Sequence, residues 1–91
     1  MGVVRLTPNL KKAEAIHDYV VRPTYADGLT ADVDLAYAVE LGQVFEDLRK
    51  PEYFRRLRAS RTTNTVIWPN GADIAPESLY ELARQAAAVA S

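Results

Sequence analysis

The sequence contains no cysteine. Disulfides, thiolate metal sites and thiol nucleophiles are therefore excluded together. Histidine occurs once, as His17 beside Asp18 in a segment that reads as a turn. An exposed loop side chain is the ordinary expectation there, and a general base the exceptional one. The four glycines are scattered singly, so no glycine-rich loop exists to cradle a phosphate. Ser60 and Ser78 have no base close by in sequence. No apolar run approaches the length of a membrane span. The N-terminal apolar patch is broken by Arg5 and Pro8 and is too short for the core of a signal peptide. The expected compartment is the cytoplasm.

Positive charge is missing from a long stretch. Residues 25–48 carry six carboxylates (Asp27, Asp32, Asp34, Glu40, Glu46, Asp47) and no basic residue. Residues 49–61 then carry six basic residues (Arg49, Lys50, Arg55, Arg56, Arg58, Arg61) against Glu52 alone. The net charge of −1 hides this local polarisation. At 91 residues, 48% of them apolar, the chain suits one folded domain spanning residues 1–91 and is too apolar for disorder. A domain this small often gains stability from a partner or from self-association.

Hydrophobic periodicity divides the chain. Residues 11–16 alternate weakly and read as a first strand, turning at His17-Asp18 into a second over 19–26, where Tyr19, Val21, Pro23 and Tyr25 share one face. Pro23 cannot donate a ladder hydrogen bond, which predicts an edge strand or a bulge. Asp27 and Gly28 supply the positive φ angles of a tight hairpin. Residues 29–35 alternate cleanly, with Leu29, Ala31, Val33 and Leu35 inward and Thr30, Asp32 and Asp34 outward. The spacing then becomes three, in Phe45/Leu48 and Phe54/Leu57, with Pro51 placed to open a short helix. Residues 56–60 and 64–69 predict a second hairpin around Arg61-Thr62-Thr63. From Pro76 to about Val89 a stripe of Leu79, Leu82, Ala83, Ala86 and Val89 or Ala90 predicts an amphipathic helix. The expected fold is a two-layer α+β domain: an antiparallel sheet of about five strands, a short middle helix and a longer C-terminal one.

The stretch WPNGADIAPESLYE, residues 68–81, is the most sharply punctuated. Pro69 stops a strand, Asn70-Gly71 permits left-handed backbone angles, Asp73 is placed to accept backbone N–H groups, and Pro76 starts the helix. Trp68 and Tyr80 are amphipathic anchors of the kind enriched at interfaces. For the single tryptophan, a core role is the stronger expectation.

Taken in order, YADG (25–28), VDL (33–35), FEDLRKPEYF (45–54), WPNGAD (68–73) and PESLY (76–80) resemble the small bacterial domain-of-unknown-function family 2442. The likeness covers roughly residues 11–82, with 83–91 as a helical tail. Three positions depart from the pattern: Pro23 where a β-branched residue is preferred, Lys50 where Asp usually precedes Pro51, and Ala75 where a capping Ser is common. The last two remove N-cap oxygens, at about 0.5–2 kcal/mol each. The resemblance implies no assigned activity. It implies membership of a two-gene toxin–antitoxin cassette, beside a toxin-like partner of family 4160. Some relatives continue into a helix-turn-helix domain, and the expectation is that this addition is absent here.

The chemistry suggested by the residues themselves is modest. Asp32 and Asp34 share a strand face and could chelate a divalent cation with Asp27 or Asp73, but a solvated face is favoured. Arg55, Arg56, Arg58 and Arg61 gather guanidinium groups in a small volume. These suit an acidic protein partner or a second copy of the chain; a plain solvated face is the modal alternative. Nucleic acid is disfavoured by the acidic balance and the lack of interleaved aromatics. The sequence therefore predicts a non-enzymatic protein-interaction module, antitoxin-like by resemblance, with no cofactor, no metal and no membrane. A nucleic-acid-associated regulator is the alternative and a small metal-dependent enzyme a distant third.

Overall fold

The computed structural model describes residues 7–90, the side chain of Ala90 apart; the N-terminal apolar patch at residues 1–6 and Ser91 lie outside them. The fold is α+β. Among the described residues there are five strands, β1 (Leu10–His17), β2 (Val20–Tyr25), β3 (Val33–Asp34), β4 (Arg58–Ser60) and β5 (Thr65–Ile67), with helices α1 (Pro51–Phe54) and α2 (Pro76–Ala90). They divide between two antiparallel sheets, β1-β2-β3 and β4-β5, rather than forming one continuous sheet. One core joins them, including Val21, Tyr25, Val33, Leu35, Leu48, Phe54, Val66, Trp68, Leu79 and Ala83.

The alternation expected for residues 29–35 holds as burial, with Val33 and Leu35 inside and Thr30, Asp32 and Asp34 outside. As a strand, however, it contracts to Val33–Asp34 plus a bridge between Thr24 and Thr30. Pro23 explains the interruption. It lies buried in the central strand, paired with Ala13 of β1, so the expectation of an edge is corrected. On its other side β3 pairs only with Val20 and Val21, and no third strand asks Pro23 for an N–H. The register shifts fall in β1, between Leu10 and Lys12 and between Ala15 and His17.

Residues 36–49 form two 3-10 helices, Ala36–Glu40 and Gln43–Arg49. The three-residue spacing of Phe45 and Leu48 is the period of such a helix, which eclipses side chains at i and i+3. Pro51 opens α1 as expected, and Lys50 provides no side-chain cap. In α2 the buried stripe is Leu79 and Ala83, with Leu82 half-buried; Val89, expected on the same stripe, is 86% exposed because the last turn of α2 runs past the core.

Two corners close in the same way. In Tyr25–Leu29 the Gly28 N–H donates to Tyr25 O at 3.0 Å and the Tyr25 N–H to Leu29 O at 2.9 Å. In Trp68–Ala72 the Gly71 N–H donates to Trp68 O and the Trp68 N–H to Ala72 O, both at 2.9 Å. Each is a turn ending in a glycine bulge, with Gly28 at φ 92° and Gly71 at φ 90°. Asp27 and Asn70 do not take positive φ, contrary to expectation. Instead each turns its side-chain Oδ1 back to the N–H two residues on, Leu29 at 2.9 Å and Ala72 at 3.0 Å.

The space around Gly71 is open, with nothing within 4 Å of where a Cβ would lie, so any penalty for a side chain there comes from the backbone. Gly71→Val is expected to cost about 1–3 kcal/mol. Chemical denaturation measures this, and an unchanged midpoint would refute it.

Candidate functional site

Arg55, Arg56, Arg58 and Arg61 are all exposed. They straddle three conformations: Arg55 caps the end of α1, Arg58 opens β4, and Arg61 begins the turn into β5. No described carboxylate forms an ion pair with any of them. Arg56 lies over the Tyr53 ring, 5.5 Å from its centroid. The run is thus a dispersed cationic surface and not a single helical or strand face.

Trp68 is a core residue. It is 2% exposed, its ring centroid lies 5.4 Å from that of Phe54, and its Nε1–H donates to Phe54 O at 2.8 Å. No surface of the indole remains from which to meet a partner. Tyr80 is half-buried, edge-on to Tyr25 at 4.8 Å, and its hydroxyl donates to Asp27 Oδ2 at 2.5 Å. The structure therefore joins Tyr80 to the first corner, while Trp68 belongs to the second. Pro69 and Asn70 are exposed, and Asn70 Nδ2 donates to Val44 O at 2.7 Å and to Asp47 Oδ2 at 3.3 Å. This clips the second corner to the second 3-10 helix. Asp73, expected to accept backbone N–H groups, instead pairs through its backbone in a bridge to Ile67, and Asn70 takes the accepting role.

The Tyr80 hydroxyl holds the Asp27 carboxyl below the usual carboxylate range, helped by the Leu29 N–H. A depressed carboxylate contributes stability that is full above its unfolded pKa and is lost as pH falls through the folded value. The melting temperature of Tyr80→Phe should therefore lie furthest below that of the native protein at neutral pH. The gap should close as the pH is taken from about 7 towards 2. A gap independent of pH would leave the Tyr80–Asp27 bond no electrostatic role.

The remaining carboxylates have local duties. Asp32 takes a two-pronged bond from Arg22, Nε to Oδ1 at 2.6 Å and Nη2 to Oδ2 at 3.2 Å, which lowers its pKa. Asp34 Oδ1 accepts the Ala36 N–H at 2.8 Å, at the entry to the first 3-10 helix. Among the described residues no three His, Asp or Glu side chains gather as a metal site. His17 Nδ1 faces Asp18 Oδ2 at 3.5 Å on an exposed turn, where Asp18 takes φ 44°. Ser60 Oγ accepts the Thr63 N–H at 3.3 Å.

What periodicity did not find is a group of exposed large apolar residues. Tyr37 (45% exposed), Leu41 (58%) and Val44 (46%) lie within one short segment spanning the two 3-10 helices. Tyr37 also walls a shallow groove with Glu77, Ser78, Glu81 and Leu82 of α2. The segment's irregular spacing gave no strand or helix pattern from which a buried face could be subtracted. The one available signal was three large apolar residues interleaved with Glu40 and Glu46.

A family model described as "Protein of unknown function (DUF2442)" matches residues 10–85. The chain belongs to the DUF2442 family. No curated protein and no solved structure matches it. In this DUF2442 chain the motif segments read from the sequence fall mainly on the core and the corners: Tyr25, Val33, Leu35, Leu48, Phe54, Trp68 and Leu79 are buried, and Gly28 and Gly71 turn the chain. That pattern describes how this chain folds. Tyr37, Leu41 and Val44 lie outside it. Among the described residues no helix is long and apolar enough to cross a membrane.

Proposed function

We propose that this DUF2442 domain is a non-enzymatic protein-interaction module, the antitoxin-like member of a two-gene pair, and that its partner covers residues 37–44. The exposure of Tyr37, Leu41 and Val44, three large apolar residues within one short segment, carries this reading. Single exposed apolar residues are ordinary, whereas clusters mark binding surfaces. Fully burying an exposed side chain of this kind contributes about 1.5–3 kcal/mol, and these three, each about half exposed, leave roughly half of that unrealised in the isolated domain. The occupant is a protein presenting an apolar side chain flanked by Lys or Arg. Glu46, just beyond the segment, and Glu77 on the groove wall supply the complementary charge, while Glu40 and Glu81 already pair with Arg49 at 3.7 Å and Arg84 at 3.3 Å. The non-enzymatic part of this reading rests on the local hydrogen bonds that already engage Ser60, Asp32 and Asp34.

Co-purification with the product of the adjacent gene, which the sequence resemblance makes a family 4160 protein, tests the proposal. The expected result is a one-to-one complex that weakens as salt rises. Leu41→Asp should weaken it about thirtyfold or more without lowering the melting temperature of the free domain. Unchanged binding by this variant would remove the segment from the interface. Tight, salt-sensitive retention of the native protein on DNA or RNA would instead favour a nucleic-acid role.

A further inference from the structure

A second surface feature lies apart from the Tyr37 groove. Strand β1 packs beside β4, and a cleft of about 570 Å³ opens there, lined by Asn9, Leu10, Lys11, Ala26, Arg61 and Asn64. Lys11 and Arg61 come from distant parts of the chain, and the fold brings both to this one cleft. None of the described lining residues carries a carboxylate, and neither cation makes an ion pair with a described residue. Two like charges facing a shared cleft repel each other, and an anion between them reverses the sign of that interaction.

The wall behind them is held by hydrogen bonds. Asn64 is 2% exposed; its Oδ1 accepts the Leu10 N–H at 2.7 Å, and its Nδ2 donates to Thr7 Oγ1 at 3.1 Å and to Pro8 O at 2.9 Å. With its side chain committed in this way, Asn64 fixes the cleft's shape and leaves recognition to the two cations. Arginine offers a planar fork that engages two oxygens of a carboxylate or phosphate, and lysine a mobile point charge. Among the described residues no aromatic ring lines the cleft, which therefore offers none of the stacking platform that single-stranded nucleic acids use. Its volume falls in the range of small-molecule sites.

We propose that this cleft binds a small molecule bearing a phosphate or carboxylate group, with its oxyanion held between Arg61 and Lys11. The site is independent of the partner surface at residues 37–44, so failure of either leaves the other standing.

Pyrophosphate and citrate serve as small oxyanion probes, and a hexaglutamate peptide represents an acidic protein segment. A small oxyanion is expected to raise the melting temperature saturably, by roughly 5–10 °C at about tenfold excess over its Kd. Amide NMR shifts should be confined to residues 9–11, 26 and 61–64. Arg61→Gln and Lys11→Gln should each lose most of the rise while the free protein melts as before, since both side chains are exposed. Arg55→Gln, which lies off the cleft, should keep it. A rise that persists in the Arg61→Gln, Lys11→Gln double variant, or that sodium chloride reproduces, overturns the proposal. So does saturation by hexaglutamate with no response to pyrophosphate or citrate, which would assign the cleft to an acidic protein. No response to any probe overturns it as well.

Discussion

Trp68→Ala is expected to lower stability by about 3–5 kcal/mol. Domains of this size are commonly stable by only about 5–15 kcal/mol, so the variant should melt well below the native protein, by more than about 10 °C. The indole is 2% exposed and sits against Phe54, so truncation opens a cavity where β5 meets α1. It also removes the Nε1–H bond to Phe54 O. That carbonyl, at the end of a one-turn helix, keeps a longer bond of 3.3 Å from the Leu57 N–H, so the lost bond is the smaller part. Trp68→Phe separates the two effects: it retains much of the volume but not the donor, and should fall between the native protein and Trp68→Ala. Because Trp68 is the only tryptophan, unfolding is best followed by circular dichroism. A loss of partner binding in Trp68→Ala with stability intact would return the indole to the interface.

The contrast between Trp68 and Leu41 shows what a sequence of this kind discloses. Trp68 follows Val66 in a β-branched run and precedes a Pro-Asn-Gly turn, so its strand-end position and its core role were both legible. The inward faces of 19–25 and 29–35, the turn positions and the stripe on α2 were legible for the same reason: periodicity records burial directly. Periodicity does not record pairing. Whether Leu29–Leu35 would extend as a strand depended on Pro23 in its neighbour, and the division into two sheets depended on where β4 comes to lie. Residues 36–49 escaped because 3-10 geometry has a short period and few turns, too little pattern to separate an inner from an outer face. The exposed apolar residues sit in that segment. The cationic cleft was hidden for another reason: it pairs one arginine of the basic run with Lys11, and the fold alone makes them neighbours.

Asn64 was likewise invisible, read as the first residue of a strand, and its replacement should be the second most damaging. It holds φ 59°, its own N–H donates to Ser60 O at 2.8 Å, and its side chain binds the segment leading into β1 three times. Asparagine suits this place because it tolerates left-handed φ and carries an acceptor and two donors on one short side chain. Asn64→Ala leaves the Leu10 N–H without its partner in the interior, at about 1–3 kcal/mol, and adds the cost of left-handed φ for a residue with no compensating bond. The expected total is about 2–4 kcal/mol, with hydrogen-exchange protection of the Leu10 amide lost first. Asn64→Gly should recover up to about 1 kcal/mol of this, since it relieves φ but restores no bond. Asn64→Asp makes a sharper demand. It keeps the acceptor for Leu10 but turns a second oxygen towards Pro8 O, where the amide had donated. Burial and that carbonyl both favour the protonated carboxyl, so its folded pKa should rise above the unfolded value. Stability of this variant is then greatest below the unfolded carboxylate pKa and falls as pH rises through the folded one. Asn64→Asp should therefore come closest to the native protein in mild acid and lose ground towards neutrality, opposite in sign to the Asp27–Tyr80 pair. If Asn64→Asp and Asn64→Ala are equally destabilised at every pH, the Pro8 and Leu10 bonds do not hold β1 in place.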